Sequence, residues 1–529
     1  MVERPRYRFG PLERRGLIAG WRGGQIGAVA SGLVVAVAVL HSRPSPVAVA
    51  VAVTAVGGGL AFACWPFAGR TAEEWLPSVA RWSVGGLTRS RRHLSSAPSE
   101  GHWVGDTRPI LTYRAPRHHP HPFGRLSLFA VPDPLGNARV GVLFDARART
   151  YTAVLSVRGH SFALLGPADQ DQRVGEWSAV LASLARERSA VHRIQWTASA
   201  LPDDGRAVRE HLGRRGVLDE DSPAQRSYVA LLEETGAHTC RHEVNVALQV
   251  SATGHTLRAV RAAGGGHRGA CSVLLRELGM LRRRLSDTDA AVESVMGPRE
   301  LTALLRRLGR PGPLPPLEQH GGFAGRAGSE GHERRVGHDS CDGSTAQDRV
   351  TGLDEAGSAA TLWPMAVEPE WGCVRTDGTW HATYWISEWP RIDVEPDFLA
   401  PLLLGPVRRN LAVVMEPLPP SQALRQIERA RTADVADAEL RRRGGFLSTA
   451  RRSRETDVVA RREEELVDGH ASYRFSGYLT VTAATREQLE DACAQSEQDA
   501  GQCRLELRRL YGDQVRALTC TLPLCRGLG

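Results

Sequence analysis

The chain has 529 residues, which is enough for two or three domains with cores of their own. An apolar content of 42% and a mean hydropathy of −0.27 indicate that most of the mass is water-soluble. The formal net charge is +8, and residues 1–95 hold twelve Arg against four Asp or Glu, a surplus equal to the whole net charge. A basic surface confined to one end, beside apolar segments, favours a membrane-topology signal over a nucleic-acid site.

Two residue counts exclude further kinds of chemistry. The sequence has no Lys, and all 67 basic residues are Arg. A Walker-type P-loop and Schiff-base catalysis by Lys both require that residue, so both are excluded. The nine Cys are odd in number and contain no C-x-x-C pair, which argues against a disulfide framework and a zinc ribbon. We expect free thiols in a reducing cytoplasm.

Two uncharged segments near the N-terminus predict a transmembrane hairpin. Residues 26–40 and 47–67 carry no charge, and a turn with two prolines separates them. The second segment is long enough to cross a hydrocarbon core, and the first reaches that length if its helix starts near Gly23. A buried soluble hairpin and a cleaved signal peptide are the alternatives. Tryptophans near both expected interfaces and the lack of a small-residue cleavage site favour the transmembrane hairpin.

The distribution of Arg predicts how this hairpin is oriented. Six Arg precede the first segment, five follow the second, and the connecting turn has only Arg43. Cytoplasmic flanks of membrane spans carry the excess of basic residues. Both termini should therefore lie in the cytoplasm of a two-pass plasma-membrane protein, with the turn outside.

Residues 71–92 follow the hairpin and predict a helix at the bilayer surface. Trp75 and Trp82 are seven residues apart and share one helical face, and four Arg from Arg81 onward would meet lipid headgroups. A connector helix packed against the soluble part is the alternative. The sequence does not choose between the two.

The rest of the chain predicts cytoplasmic α+β domains without a P-loop ATPase core. We divide the chain into a membrane hairpin with its juxtamembrane helix (1–95), a first α+β domain (96–308), a flexible linker or insertion (309–361) and a second α+β domain (362–529). The linker is assigned because several prolines lead into a mixture of Gly, Ser, Asp and His without apolar periodicity.

In the first domain, residues 96–125 are rich in Pro and His and are predicted to be irregular. Apolar patterns then predict strands and helices in alternation. These are a hairpin of strands at 140–145 and 151–157, a helix at 172–187, strands at 191–198 and 241–250 with a helix from 225 between them, and helices across 270–308.

The second domain begins with an aromatic strand at 380–389. A strand at 411–415 and helices at 421–443 and 456–467 follow. The clearest unit is β–α–β: an alternating strand at 473–482, a helix that begins at the capping box Thr485-x-x-Gln488, and a returning strand at 505–510. This unit predicts a ferredoxin-like α+β domain.

No sequence motif predicts a catalytic, cofactor or metal site. The histidines between positions 118 and 121 have no partner ligand at suitable spacing. Cys240 and His242 share a predicted strand face, but no third group is identifiable to orient them. The glycine run at 264–266 follows a helical pattern rather than a strand, which favours a turn over a phosphate loop. We therefore predict that the protein is not an enzyme and has no catalytic residue, cofactor or metal.

Several segments resemble known families. Residues 7–16 (YRFGPLERRG), ahead of the hairpin, resemble the PrgI-type membrane proteins of Gram-positive type IV secretion, in particular those of actinobacterial conjugative elements. Similarity to the same family continues at 71–77, 140–145, 151–155, 385–391 and 464–470. The C-terminal half also resembles the N-terminal domain of type IV traffic ATPases, in which a stretch like residues 522–528 (LPLCRGL) precedes the ATPase core. No Walker motif carries over, so the resemblance implies no ATPase activity.

The resemblance implies a non-enzymatic membrane component of a conjugation or type IV-like secretion system. Such a protein would position a separate traffic ATPase, contact other channel proteins as part of an oligomeric complex, and not bind nucleic acid sequence-specifically. We expect residues 362–529 to bind the ATPase, with 473–510 near the contact. A membrane component of a type VII secretion machine is the alternative. A membrane-tethered nucleotide or nucleic-acid enzyme is a third hypothesis, which the missing Lys and motifs disfavour.

Overall fold

The computed structural model describes residues 23–42, 45–64, 66–67, 70–87, 92–94, 102–104, 110–114, 126–134, 136, 138–159, 162–202, 222–236, 240–288, 290–309, 364–444 and 450–528. The histidine tract at 118–121 lies outside the described residues. So does the predicted linker 309–361, apart from Gly309.

The described residues form helices and strands in alternation. The helices are α1 (Gly23–Ser42), α2 (Pro46–Cys64), α3 (Ala72–Leu87), α4 (Pro167–Leu184), α5 (Pro223–Gly236), α6 (Thr256–Ala262), α7 (Gly266–Ser286), α8 (Pro298–Gly309), α9 (Ala400–Leu404), α10 (Pro420–Gly444), α11 (Ala450–Val467), α12 (Arg486–Gln502) and α13 (Gln514–Thr521). The strands are β1 (Pro66–Phe67), β2 (Arg70–Thr71), β3 (His93–Leu94), β4 (His102–Val104), β5 (Leu111–Arg114), β6 (Leu126–Pro132), β7 (Arg139–Asp145), β8 (Thr150–Arg158), β9 (Val191–Pro202), β10 (Cys240–Ser251), β11 (Ala291–Val295), β12 (Ala366–Pro369), β13 (Val374–Thr376), β14 (Thr379–Glu388), β15 (Arg409–Leu418), β16 (Ser472–Ala483) and β17 (Glu506–Arg509).

The N-terminal helices α1 and α2 form a tight antiparallel hairpin whose contact depends on two glycines. A Cβ atom on Gly32 would lie 2.7 Å from the carbonyl oxygen of Ala55, and one on Gly59 would lie 2.9 Å from that of Ala28. Any larger side chain would force the helices apart at both points. Helix α1 includes Gly23, Gly24 and Gln25, the residues that the first predicted span needs to reach membrane-crossing length.

Fifteen of the strands in the described residues form one antiparallel sheet. Its order is β3-β12-β13-β14-β16-β15-β9-β10-β8-β7-β6-β5-β4, with β11 paired to β8 and β17 paired to β14. The coarse prediction of an α+β protein is thus confirmed. The proposed boundaries at 308 and 362 stay a prediction, because the sheet runs through both predicted domains.

The same topology occurs twice in this sheet. In the first half (β7 to α8), the pairing is β9-β10-β8, and the end of β8 pairs with β11. In the second half (β12 to α13), the pairing is β15-β16-β14, and the end of β14 pairs with β17. Each half also contains a hairpin, β7–β8 or β13–β14. The structure therefore contains an internal duplication that the sequence did not reveal.

The two halves meet through equivalent strands. β9 and β15 pair antiparallel from Ala200 opposite Arg409 to Ile194 opposite Met415. Because equivalent strands pair in opposite directions, an approximate two-fold axis relates the halves. This junction makes the two half-sheets into one continuous surface.

Both faces of the sheet are covered. On one face, a core that includes side chains of α4 and α7 covers the first half, and a core that includes side chains of α9 and α12 covers the second. On the other face, α8 and α13 supply buried residues such as Leu301 and Leu518. Strand alternation explains this arrangement, since Ala153 and Leu155 belong to one core and Val154 to the other.

Most predicted elements of the second half are confirmed. Helices at 421–443 and 456–467 correspond to α10 and α11, and the alternating strand at 473–482 is β16. The predicted capping box is present: the Thr485 hydroxyl accepts a hydrogen bond from Gln488 N at 3.2 Å, and the Gln488 side chain accepts one from Thr485 N at 3.3 Å.

Two predictions in the first domain are wrong. Helices do not fill 270–308, because residues 291–295 form β11, whose β-branched side chains suit a strand paired with β8. Nor is all of 96–125 irregular: β4 and β5 pair with each other, and β5 pairs with β6 at the edge of the sheet. The sequence pattern did not predict these strands, because they are short and form by pairing with strands elsewhere in the chain.

Candidate functional site

The most distinctive surface of the molecule is the bare apolar hairpin. Helices α1 and α2 are long and apolar enough to cross a membrane, and only 11% and 17% of their most apolar windows are buried. Large side chains such as Val34, Val37, Val47 and Val53 are exposed. The core helix of a soluble protein would be covered by its own chain. The hairpin is therefore compatible with a membrane protein.

The large sheet and the helices packed on it are called the body below. Helix α3 connects this hairpin to the body through an aromatic cluster. The Trp75 ring stacks on Trp371 with centroids 5.9 Å apart and lies 6.1 Å from Tyr511, while Trp82 meets Trp371 edge-on at 5.4 Å. Beside the rings, Arg81 forms an ion pair with Asp513 at 2.9 Å. We call Trp371, Tyr511, Gly512 and Asp513 the Trp371 seat.

The backbone at Gly512 leaves space for the indole ring of Trp371. Gly512 has φ +74°, and its N–H donates to the Trp371 carbonyl at 2.7 Å. A Cβ atom at this position would lie 2.7 Å from the Trp371 ring. Glycine is therefore required here for both the backbone conformation and the space.

The seat bears on both predictions for residues 71–92, because it covers one face of α3 and leaves Leu76 and Leu87 exposed. Trp75 and Trp82 do share one helical face, as predicted, but that face packs on the protein's own second half rather than on lipid. Arg81 is held by Asp513. Arg92 is exposed, and the other two predicted headgroup ligands, at 89 and 91, lie outside the described residues.

A short strand fixes the chain beyond α3 to the same half. His93 and Leu94 in β3 pair with Val367 and Ala366 in β12. The apolar hairpin is thus attached to the second half of the body, although the first half is nearer in sequence.

The two halves are further locked by a C-terminal strap, residues 522–528, that leaves α13 and crosses to the first half. The Gln195 amide donates to the carbonyls of Cys520 and Leu522, both at 2.9 Å, and accepts from Cys525 N at 2.6 Å. Gln249 donates to the Leu524 carbonyl at 3.1 Å. These buried amides satisfy the strap backbone where water has no access.

Packing and charge hold the same strap. Leu522 and Leu524 enter the core that Leu301 and Leu304 build on the first half. Arg526 forms an ion pair with Asp145 at 2.6 Å. The strap is therefore an integral part of the fold.

One buried and two partly buried Arg residues lie near the junction between β9 and β15. Arg409 pairs with Asp499 at 2.8 Å, and both side chains are almost fully buried. Arg307 binds Glu243 through two bonds at 2.8 and 2.9 Å. Arg408 donates to the Arg307 carbonyl at 2.8 Å, and burial, together with the nearby Arg307 charge, lowers the pKa of Arg408 to about 10. The Arg408 bond crosses between the halves, whereas the Arg409 and Arg307 ion pairs each lie within one half.

Of the residues considered for chemistry, Cys240, His242 and the glycine run at 264–266 lie in the part of the chain that the structure describes. The Cys240 thiol contacts the Pro406 carbonyl at 3.5 Å. Burial, followed by the Arg409 charge, lowers the pKa of His242. The glycines at 264–266 have positive φ angles and form the turn between α6 and α7, as predicted.

One histidine contact was missed by the sequence analysis. The Tyr151 hydroxyl and His267 Nδ1 lie 2.8 Å apart, surrounded by Phe129 and Phe144. Burial raises the pKa of Tyr151 to about 12 and lowers that of His267. A phenol and an imidazole held in their neutral forms inside an aromatic cluster are suited to packing rather than to proton transfer.

We next considered metal sites and ligand-binding clefts in the described residues. They contain no group of three His, Cys, Asp or Glu side chains that could hold a metal ion. A cleft of about 290 Å³ lies between the ends of α4, β15 and α11. Its Glu187 carboxylate already accepts a hydrogen bond from Ser421 N at 2.8 Å. The site with the clearest functional consequence is therefore the apolar hairpin and its attachment.

No protein-family model and no curated protein sequence matches this chain.

Proposed function

We propose that this chain is a non-enzymatic integral membrane component of a conjugation or type IV-like secretion system that positions a separate traffic ATPase at the plasma membrane. The observation that carries the proposal is the bare apolar hairpin, attached through α3 and the Trp371 seat to a large α+β body. The hairpin supplies attachment to a bilayer, and the body supplies surface for a partner. The family resemblance of residues 7–16 and of the C-terminal half supports the type of machine.

Each half of the body is then a ferredoxin-like unit. In chain order the first half runs β8, α4, β9, β10, α7 and β11, which follows the β-α-β-β-α-β pattern once α5 and α6 are treated as additions. The second half follows the same order with α9 and α12 as its two helices. The pairing orders within the two halves support this assignment.

Both termini would lie in the cytoplasm, because Arg flanks both spans on one side and the turn has only Arg43. A reporter fused after Gly529 should show cytoplasmic activity, and one inserted at Ser42 should report the outside. A signal from outside the cell at Gly529 would refute this topology.

The ATPase would dock on the second half. Strand β16 pairs with β14 and β15 on its two sides, so it offers no free edge to a partner. Helix α12, which follows it, has an exposed face with acidic residues that include Glu487 and Asp491. We place the contact on this face, where it would meet a basic surface of the ATPase.

Charge reversal tests this contact without dismantling the fold. The full chain carrying Glu487→Arg and Asp491→Arg should co-purify with much less of a co-expressed traffic ATPase from membranes solubilised in detergent. The control carries Glu464→Arg and Asp468→Arg at the exposed end of α11 and should retain it. Equal retention by both variants would refute docking through α12. Failure of the wild-type chain to retain any ATPase would refute the proposed role.

The non-enzymatic part of the proposal has its own test. The purified chain should show no ATP turnover above background, because no Lys is present to reach the β- and γ-phosphates. Turnover in a preparation free of other ATPases would contradict it.

A further inference from the structure

Three exposed apolar side chains form a stripe on α3 beside its tryptophan face. Leu76 is 58% exposed, Val79 41% and Leu87 85%. At about 100° per residue, Val79 lies roughly 40° around the helix from Trp75, and Leu76 and Leu87 lie roughly 100–120° from it on the same side. The tryptophan face is covered by the Trp371 seat, whereas the stripe beside it is not.

The structure also places α3 directly beside the end of the apolar hairpin. α2 ends at Cys64 and α3 begins at Ala72, so seven residues separate them. Within those residues β1 and β2 pair antiparallel, so the connection folds back on itself. Even fully extended, seven residues reach only ~25 Å. If α2 crosses a bilayer, the start of α3 must lie near the bilayer surface.

From these observations we infer that α3 lies in the plane of the membrane surface, with Leu76, Val79 and Leu87 in the boundary between headgroups and acyl chains and with the second half of the body docked on its tryptophan face. The occupant of the stripe is the bilayer, because the stripe adjoins the only segment in the described residues that is apolar enough to span one. The inference rests on the proposed membrane insertion of α1 and α2.

This arrangement fixes the orientation of the body. The Trp371 seat binds the tryptophan face of α3, and Arg81, on the flank of that face, pairs with Asp513. The seat and the adjoining end of α13 are therefore the part of the body nearest the membrane. A rigid support of this kind would hold the rest of the second half at a constant angle to the bilayer.

Site-specific photo-crosslinking to lipid tests the inference on the full chain. p-Benzoylphenylalanine replaces Leu76, Leu87, Val35 or Val435 in separate preparations, each reconstituted into vesicles of phosphatidylcholine and phosphatidylglycerol that contain a clickable phosphatidylcholine. Val35 lies exposed on α1 and reports insertion of the hairpin, while Val435 is an exposed apolar residue on α10 and serves as the matched control.

We expect lipid adducts at positions 76 and 87 to exceed those at 435 by about fivefold or more, since an interfacial helix buries its apolar face ~5–10 Å into the headgroup boundary. Adducts at 35 without an excess at 76 and 87 would overturn this inference and leave the membrane anchor intact. Crosslinks from 76 or 87 to a second protein chain instead of lipid would also overturn it. No adducts at 35 would overturn both the inference and the proposed insertion.

Discussion

The two halves of the body share a strand order but differ in what is attached to it. The first half has two long helices, α4 and α7, on one face, whereas α9 in the equivalent place to α4 has five residues. The second half instead has the α10–α11 hairpin between β15 and β16, the Trp371 seat and the strap. Both halves therefore share the same arrangement of strands, whereas contact with α3 and β3, which follow the apolar hairpin, is made by the second half.

The largest effect should come from the buried ion pair of the second half. Asp499→Ala leaves the guanidinium of Arg409 buried without its counter-charge, and the free energy of unfolding should fall by about 3–5 kcal/mol. The control is Glu463→Ala, which removes an exposed partner of Arg431 and should cost about 1 kcal/mol or less. Denaturant unfolding in detergent measures both. Equal small losses would show that Arg409 finds solvent or another partner.

Equivalent core positions test whether the halves unfold together. Leu301 on α8 and Leu518 on α13 are both buried, and replacing either with Ala should cost about 2–5 kcal/mol. Because the β9–β15 pairing and the strap make one sheet, each variant should shift a single transition seen by probes in both halves. Two separate transitions, each sensitive to only one substitution, would contradict the continuous body.

The strap should show a smaller effect that crosses between the halves. Gln195→Ala, in the first half, removes two hydrogen bonds to the strap and one to the end of α13, and it should destabilise the protein by about 1–3 kcal/mol. It should also increase the rate at which carboxypeptidase removes the C-terminal residues. Gln172→Ala, whose side chain contacts only exposed Glu176, is the control. Unchanged protease resistance would show that the strap is held by its leucines alone.

The smallest expected effect is a pH dependence centred in the first half. Burial lowers the pKa of His192, His242 and His267 below the ordinary value. The unfolded chain then binds more protons than the folded one as pH falls through 6.5, so stability should be complete above pH 7 and decrease towards pH 5. His192→Gln should flatten that slope relative to the wild-type chain. A slope identical to that of the wild type would contradict this assignment.

Local signals in the sequence predicted much of the fold. The capping box at Thr485, the alternation of residues 473–482 and the charge-free spans each depend on residues close together in the chain, and each is found in the structure. The duplication was not predictable, because the two halves share the order in which strands pair and not the residues of those strands. Strand β8 has the sequence TYTAVLSVR, whereas its equivalent β14 has the sequence TWHATYWISE.

The candidate site was harder to predict for the same reason. Trp75 and Trp82 were recognised as one helical face, but Trp371 and Tyr511 lie hundreds of residues away in sequence. An exposed aromatic pair beside a membrane span has the same local pattern whether it meets lipid or protein. The tertiary contact between α3 and the seat shows that this tryptophan pair meets protein.

The central claim is that the anchor is attached to the second half through α3, and a double-mutant cycle tests it most directly. Trp82→Ala and Trp371→Ala, alone and together in the full chain, should show a coupling free energy of about 0.5–1.5 kcal/mol, because their rings are in contact. The matched cycle of Trp82 with Trp177, on α4 in the first half, should be additive. Additivity in the Trp82–Trp371 cycle, or coupling to Trp177 instead, would contradict the account.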